Sequence, residues 1–278
     1  MVARSGRIVK ARIHRYEGGV WSSHAETLAG EEPLEIRIIV DGVRHTLTVT
    51  MRTPGDDFAL TAGLLLAEGV VQARDDIAHI RYCVERGEEQ RYNIVNVDLR
   101  RGYAPDLAGL GRQLVTTSAC GVCGKQSIDA LHIRGCTPLP DGQPIDPALL
   151  TSLPAKLRTA QHLFDTTGGL HAAALFSRDG ELLALREDIG RHNALDKLFG
   201  WALLERVPLD TGIVLVSGRA GFELAQKCVV ARAPVLCAIS APSSLAVATA
   251  RDFGLTLVGF LRGERFNVYS GAERLGVL

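Results

Sequence analysis

The sequence has few cysteines and no net charge, and each shortage excludes a class of protein. Its 278 residues carry 31 Lys and Arg against 31 Asp and Glu, which argues against a broad nucleic-acid-binding surface. Six cysteines are too few for a disulfide scaffold in a chain of this length, and they are expected to stay thiols in a reducing compartment. Hydrophobic residues still make up 46% of the chain, which is ample for one large or two modest packed domains.

Long hydrophobic runs are also missing. The longest stretch without a charged residue, Ala233 to Ala250, contains Pro234 and Pro242, so it is unsuited to a membrane-spanning helix. The basic residues between Arg4 and Arg15 are not followed by an apolar core and a small-residue cleavage site, as a secretory signal would be. We therefore expect a cytoplasmic protein with no membrane span.

Hydrophobic periodicity predicts a small α+β module near the N-terminus. Apolar and polar residues alternate from Leu34 to Met51 on both sides of Asp41-Gly42, a pattern typical of a β-hairpin with a tight turn. The segment from Asp56 to Glu68 predicts a short helix. Two further strands are predicted, at residues 77–84 and 92–99.

The C-terminal half predicts an α/β domain. A helix is expected at 153–164, a hairpin around Arg178-Asp179-Gly180, and another helix from about Arg191. Apolar segments then alternate with helical ones, which is the pattern of βαβ units with a largely parallel sheet. These strands are predicted at 213–216, 235–239 and 255–260, and the helices at 222–231 and 243–252. The predicted units are an N-terminal module (1–115), a mobile loop rich in Gly, Pro, Ser and Thr (116–142), and the α/β domain (143–278).

Ligands of such sheets usually lie beyond the carboxyl ends of the strands, and polar segments follow the strands at that place. The turn Ser217-Gly218-Arg219 suits an anion, although a turn with a surface arginine is an equally good interpretation. Arg262 and Arg265 follow the last predicted strand, beside a glycine, and suit phosphates. Asp188, in a third segment, is explained as well by helix capping, and His171 by a structural hydrogen bond.

A close cysteine pair, Cys120-Gly121-Val122-Cys123, lies in the predicted loop, where Lys125 would favour a thiolate. A thiolate can carry sulfur, but this spacing also suits a redox pair or a zinc site completed by His132 and Cys136. His24 and Glu26 resemble part of a zinc deaminase signature, but they lie far from the cysteines in sequence and we take the match as accidental.

Several short sequence segments identify a protein family more specifically in combination than any one of them does alone. In combination they resemble the formate dehydrogenase accessory sulfurtransferase family, and the resemblance extends from about Glu32 to Tyr269. The segments are Ser118–Gly124, Phe164–His171, Glu187–Lys197, Ser217–Arg219, Ser240–Ser244 and Gly259–Gly263.

The resemblance implies a function and a fold. The protein would accept persulfide sulfur from a cysteine desulfurase and deliver it to the molybdenum or tungsten bis(molybdopterin guanine dinucleotide) of formate dehydrogenase, with no permanently bound metal. The fold would be an α/β, cytidine-deaminase-like three-layer core with a smaller α+β N-terminal module, in a chain that is commonly a homodimer. A noncatalytic cofactor chaperone, whose cysteine loop binds structural zinc or docks a partner, is the alternative.

The resemblance also assigns site residues. Cys120 matches the persulfide-bearing position, and Cys123 is placed to receive, resolve or protect the sulfur. Ten further residues are assigned to binding of the cofactor substrate. They are Phe260, Leu261, Arg262, Gly263, Glu264 and Arg265, with Ser217, Gly218, Arg219 and His171 as less certain neighbours.

Overall fold

Two antiparallel hairpins begin the chain in the computed structural model, which describes residues 6–84, 90–105, 128–129, 131–132, 135–142 and 144–277. β1 (Ile8–Glu17) pairs with β2 (Val20–Ala29) as a separate two-stranded ribbon. β3 (Glu32–Val40) and β4 (Val43–Arg52) form the hairpin predicted from the sequence. Asp41 and Gly42, at its turn, both have positive φ, as a tight hairpin turn requires.

The second hairpin belongs to a four-stranded sheet of order β4-β3-β6-β5, which confirms the predicted strands of this region. β5 spans Ile77–Tyr82 and β6 spans Ile94–Leu99. The predicted helix is α1 (Asp57–Ala67), and its apolar side chains pack in one buried cluster with those of β3 and β6. A buried ion pair fixes the start of this helix, because Arg52 Nε and Nη2 each lie 3.0 Å from a carboxylate oxygen of Asp57.

The C-terminal half is built on a six-stranded sheet of order β12-β11-β10-β9-β7-β8. Only β9, β10 and β11 run parallel, so the prediction of a largely parallel sheet holds for half of the strands. The strands are β7 (His171–Phe176), β8 (Leu182–Asp188), β9 (Ile213–Val216), β10 (Val235–Ala238), β11 (Thr256–Arg262) and β12 (Arg265–Ser270).

Five helices accompany this sheet in the described residues. The predicted helix at 153–164 is in fact two helices separated at Gln161, and the first begins earlier because the side chain of Asp146 caps it. The other three confirm the predictions within a few residues. The five are α2 (Pro147–Ala160), α3 (His162–Thr167), α4 (Arg191–Leu204), α5 (Phe222–Val230) and α6 (Ser244–Asp252).

Side chains alternate between the two faces of the six-stranded sheet and give three layers. In β7, Ala173 and Leu175 pack with α4, α5 and α6, whereas Ala172 and Phe176 pack with α2 on the other face. This mixed α/β architecture confirms the predicted class, and the cytidine-deaminase relationship stays a prediction. The predicted domain boundaries fall at or beside residues outside the described ranges and also stay predictions. No helix within the described ranges is long and apolar enough to cross a membrane.

The two halves of the chain meet where α1 packs along α4. A Cβ atom at Gly200 of α4 would overlap the backbone oxygen of Ala59, and one at Gly63 of α1 would overlap the backbone of Asp196. The two helix backbones therefore approach as closely as glycine allows. This contact joins the N-terminal module to the larger sheet.

We expect Gly200→Ala to lower the free energy of unfolding by about 1–3 kcal/mol, because the methyl group meets backbone rather than a movable side chain. Chemical denaturation followed by circular dichroism measures this loss. Gly169→Ala is the matched control, since its Cβ would meet only one atom, at an ordinary distance of 3.8 Å. Equal midpoints for the two variants would contradict the tight helix contact.

Candidate functional site

Hydrogen bonds join the loops that follow β9, β10 and β11. The N–H of Ser240 donates to the oxygen of Gly218 at 3.4 Å, and the N–H of Phe260 donates to the oxygen of Ser240 at 3.1 Å. Because β7 runs antiparallel to β9, its first residue, His171, lies at the same edge of the sheet. We call this edge, with His171, Ser217–Arg219, Ser240–Ser244 and Phe260–Arg265, the carboxyl edge.

Ser217 and Gly218 hold β7 and His171 against this edge. The N–H of Ser217 donates to Ala172 O and the N–H of Ala172 donates to Ser217 Oγ, both at 2.9 Å. A Cβ at Gly218 would lie 3.3 Å from Nδ1 of His171, so a side chain at this position would crowd the imidazole. The structure therefore brings together three predicted residues that are distant in sequence.

The environment of His171 favours its neutral form. Burial lowers the pKa of the imidazole, and the positive charges of Arg191 and His192 lower it further, against the opposing effect of Asp188. His171 is therefore available at neutral pH as both a hydrogen-bond donor and an acceptor. An anion bound beside it would offset these positive charges.

Two helices start at the carboxyl edge with a glycine as the capping residue and no side-chain cap. These are α4, after Gly190, and α5, after Gly221, whereas Ser243 caps α6. Free N–H groups and the helix dipole favour an anion at such ends. The first turns of α4 and α5 are joined by His192 Nε2 and Glu223 Oε2, 2.6 Å apart, a contact that lowers the pKa of Glu223.

Arg191 adds an unused donor that the candidate residues did not include. Its Nε is buried and has no hydrogen-bond partner in the described part of the chain. Arg191 is the first residue of α4, at the same edge of the sheet as His171. Its positive charge lowers the pKa of His171. The sequence signal was its position at a strand-to-helix transition, but nothing in the sequence distinguished it from an ordinary surface arginine.

The predicted Phe260–Arg265 stretch divides between core and surface. Phe260 has a left-handed backbone (φ 52°), and Gly259 before it cannot carry a Cβ because Pro242 Cδ would lie 2.8 Å away. Leu261 is fully buried in the core, so it can reach a ligand only through its backbone. The remaining four residues are exposed at the turn between β11 and β12, a strand that the sequence did not predict.

Arg262 and Arg265 are exposed at this turn. The guanidinium of Arg262 lies 5.4 Å from the ring centroid of Phe260, a cation–π contact that orients it. Arg219 is exposed on the loop after β9, two strands away in the sheet. The carboxyl edge therefore combines a cationic rim with uncapped helix starts, which suits a large anion.

A buried cluster supports the edge from behind. Asp188 Oδ1 accepts the N–H of Gly190 at 2.8 Å, and Oδ2 lies 2.8 Å from Nζ of Lys197 and accepts the N–H of Thr53 at 3.0 Å. Asp188 is fully buried. Asp188 therefore positions Gly190, the residue before α4, but it does not cap the helix, so the capping interpretation is wrong.

Cys120, Cys123 and Lys125 lie outside the described residues. The chain downstream of them is fixed, because His132 Nε2 lies 2.6 Å from Asp252 Oδ2 and the imidazole stacks on Phe253. Beside this contact, an open pocket of about 660 Å³ lies between α6 and the segment that includes Ile128 and His132. Its walls are Ile128, Asp129 and His132 on one side and Ser244, Leu245, Ala248 and Asp252 on the other.

This pocket leads toward the carboxyl edge. Asp252 ends α6, and Ser244 begins it beside the Ser240–Ser244 loop. Cys123 precedes Ile128 by five residues, so at most about 18 Å of extended chain separates the two. The other end of the pocket, at Ser244, belongs to the carboxyl edge.

Two of the other cysteines are core residues, and the deaminase-like pair lies on the surface. Cys228 and Cys237 are fully buried, and burial raises the pKa of both thiols, that of Cys237 to about 12. His24 and Glu26 lie on the exposed ribbon, where they bond Ser22 and Arg15. Among the residues described, no group of three or more His, Cys, Asp or Glu side chains is placed to hold a metal ion.

Comparisons with known proteins agree on one family. The model of the FdhD/NarQ family matches residues 29–276. "Sulfur carrier protein FdhD" of Streptomyces coelicolor is 52% identical over 279 residues, covering 98% of this chain and 97% of that protein. The protein of the same name from Mycobacterium tuberculosis is 52% identical over 257 residues, covering 90% and 92%.

A solved structure shares the fold. It is that of a protein from Desulfotalea psychrophila named as a formate dehydrogenase accessory protein. The TM-score is 0.75 at 24% identity, with 96% of this chain and 99% of the other covered. At this identity the likeness supports the architecture alone.

We expect His171 to titrate below about 6.5, the ordinary value for histidine, because burial and two neighbouring cations disfavour its protonated form. Nitrogen-15 NMR of the imidazole measures the midpoint. Arg191→Gln should raise it, and inorganic phosphate bound at the carboxyl edge should raise it as well. A midpoint at or above the ordinary value in the unmodified protein would contradict this electrostatic description.

Proposed function

The chain belongs to the FdhD/NarQ family, and on that premise we propose that it is a sulfur carrier for the maturation of formate dehydrogenase. Cys120 accepts persulfide sulfur from a cysteine desulfurase. The sulfur then passes to the molybdenum or tungsten bis(molybdopterin guanine dinucleotide), before or during its insertion into formate dehydrogenase. The observation that carries the proposal is the composition of the carboxyl edge. The uncapped starts of α4 and α5 lie there together with the exposed arginines Arg219 and Arg262.

The carboxyl edge suits the acceptor, a large polyanion. The phosphates of the acceptor would lie at the uncapped starts of α4 and α5, near the positive charge of Arg191. Arg219 and Arg262 would hold the outer charges, and the left-handed Phe260 would turn backbone groups toward a guanine. His171, kept neutral, would accept or donate a hydrogen bond without adding charge.

The sulfur step requires the two sites to communicate. When the S–S bond of a Cys120 persulfide breaks, the electron pair of that bond stays on Cys120, which becomes a thiolate. The terminal sulfur would be transferred at oxidation state zero. The metal of the acceptor would reduce it by two electrons and bind it as sulfide. In this proposal the persulfide would reach the carboxyl edge along the pocket beside α6, and Cys123 would receive, resolve or protect the sulfur.

Three further properties follow from the family resemblance and belong to the same proposal. They are a cytidine-deaminase-like three-layer core, a homodimer, and a cytoplasmic location. Of these, the sheet and helices described above support only the three layers of the core. Formate dehydrogenase and the cysteine desulfurase are the proposed protein partners.

One observation favours the alternative of a noncatalytic cofactor chaperone with structural zinc. A histidine that binds zinc through one ring nitrogen commonly bonds a carboxylate through the other, and His132 Nε2 has such a partner in Asp252. Cys120, Cys123 and Cys136 would complete that site. Zinc that stays bound through purification, with no persulfide on Cys120, would support this second function.

We expect Cys120→Ala to abolish activation of formate dehydrogenase while leaving folding and cofactor binding intact, because it removes only the sulfur-bearing atom. Incubation with a cysteine desulfurase and cysteine, followed by peptide mass spectrometry, should locate one added reducible sulfur on Cys120. Cys83→Ser is the control, since Cys83 is a half-buried thiol of the N-terminal module, away from the proposed sites. Full activation by Cys120→Ala would remove Cys120 from the mechanism, and Cys123→Ala assigns the second thiol.

We expect Arg262→Gln to weaken cofactor binding about tenfold and to lessen its dependence on salt, because a charge-assisted phosphate contact is lost. Equilibrium binding at two salt concentrations measures both effects. Arg44→Gln, which removes an exposed charge from β4, is the control and should change neither. Unchanged affinity in Arg262→Gln would remove this arginine from the site.

A further inference from the structure

One carboxylate lies where the proposed function needs an anion. Glu223 belongs to the first turn of α5, directly after the loop 217–221 of the carboxyl edge. The first turns of α4 and α6, both within the described ranges, hold no acidic residue. The side chain of Glu223 is 54% exposed. This carboxylate therefore shares the uncapped start of α5 with the phosphates of the proposed acceptor.

Glu223 lies among cationic groups. Its Oε2 accepts a hydrogen bond from Nε2 of His192, on the first turn of α4, at 2.6 Å. This bond lowers the pKa of Glu223, burial opposes it, and the charges of His192, Lys227 and Arg191 lower the pKa further. Glu223 is therefore ionised at neutral pH, and it interacts with the start of α5 as a bound anion would.

The fold does not need this contact to hold α4 against α5. Four residues further along each helix, Lys227 Nζ lies 2.7 and 2.9 Å from the carboxylate oxygens of Asp196. Asp196 is 2% exposed and Lys227 is 11% exposed, so this pair is protected from water and breaking it would be strongly destabilising. The contact between His192 and Glu223 is more exposed and adds little stability, because solvent screens it.

The other carboxylates near these helix starts are buried and paired. Asp188 is fully buried and lies 2.8 Å from Lys197 Nζ, and Asp196 is bonded to Lys227. In the described part of the chain, Glu223 is therefore the carboxylate that an anion arriving at the starts of α4 and α5 would meet.

We propose that Glu223 sets the affinity of the carboxyl edge for the acceptor, by competing with the phosphates of the acceptor for the Nε2–H of His192. This inference rests on the proposed function and deepens it. A phosphate that binds here meets the like charge of Glu223, and His192 exchanges one anion for the other. A carrier that passes its acceptor on to formate dehydrogenase benefits from this competition, because a cationic site without it would release a polyanion more slowly.

Binding of guanosine diphosphate mannose provides the test. This probe shares the guanine and the pyrophosphate diester of the proposed acceptor, and its charge is constant near neutral pH. We expect Glu223→Gln to bind the probe about threefold more tightly or better, and to release it more slowly, because the substitution removes the charge but keeps a hydrogen-bond acceptor for His192. Calorimetry measures the affinity, and stopped-flow displacement measures the release.

Two further variants separate this role from a structural one. Glu223→Ala, which removes the acceptor as well as the charge, should tighten binding by at least as much. Glu205→Gln is the matched control, because it removes an exposed carboxylate at the opposite end of α4, and it should leave the affinity unchanged. If the contact with His192 served mainly to hold the two helices together, both Glu223 variants would bind the probe more weakly and unfold at a lower temperature.

The failure of this inference is distinguishable from the failure of the proposed function. Unchanged or weaker binding of the probe by Glu223→Gln, with normal binding by the unmodified protein, would overturn the role of Glu223 and leave the sulfur carrier standing. An unmodified protein that carries persulfide on Cys120 but binds no probe would overturn both the acceptor site and this inference. Tighter binding by Glu223→Gln in a protein whose Cys120 accepts no sulfur would support the inference and overturn the sulfur step.

Discussion

The buried contact between Asp188 and Lys197 is the interaction on which the rest of the structure depends. Both side chains are almost completely excluded from solvent, and both bond the backbone of Thr53, which ends the N-terminal sheet. Removing one partner of such a pair leaves a buried charge and costs about 3–5 kcal/mol. The pair thus fixes in one position the end of β8, the start of α4 and the entry to α1.

This contact explains why the halves of the chain cooperate. Asn193 donates to Met51 O and to Asp188, so the first turn of α4 is bonded to β4 as well as to β8. The close packing at Gly63 and Gly200 then continues along the same helix. The carboxyl edge is therefore built on a helix that the N-terminal module holds, although that module contributes none of the edge residues.

Much of this fold follows from the sequence, and the failures have physical reasons. The hairpin at Asp41-Gly42 and the alternating strands and helices after residue 210 follow from strict periodicity and turn chemistry. The sequence does not predict β1 and β2 because most of their side chains are exposed, so no hydrophobic alternation marks them. It does not predict β12 because the last apolar run ends at Phe260, and the polar segment from Arg262 to Arg265 gives no sign that a strand follows it. The buried Nε atoms of Arg186 and Arg191 depend on tertiary packing, which no local pattern encodes.

The division of roles along β11 has an evolutionary consequence. Gly259 has no room for a side chain and Leu261 is buried, so natural selection for folding holds both. Phe260, Arg262 and the turn beyond them are free of that requirement. Changes in ligand contacts at Phe260, Arg262 or the turn therefore leave the packing of the sheet intact, whereas a change at Gly259 or Leu261 alters the site and the fold together.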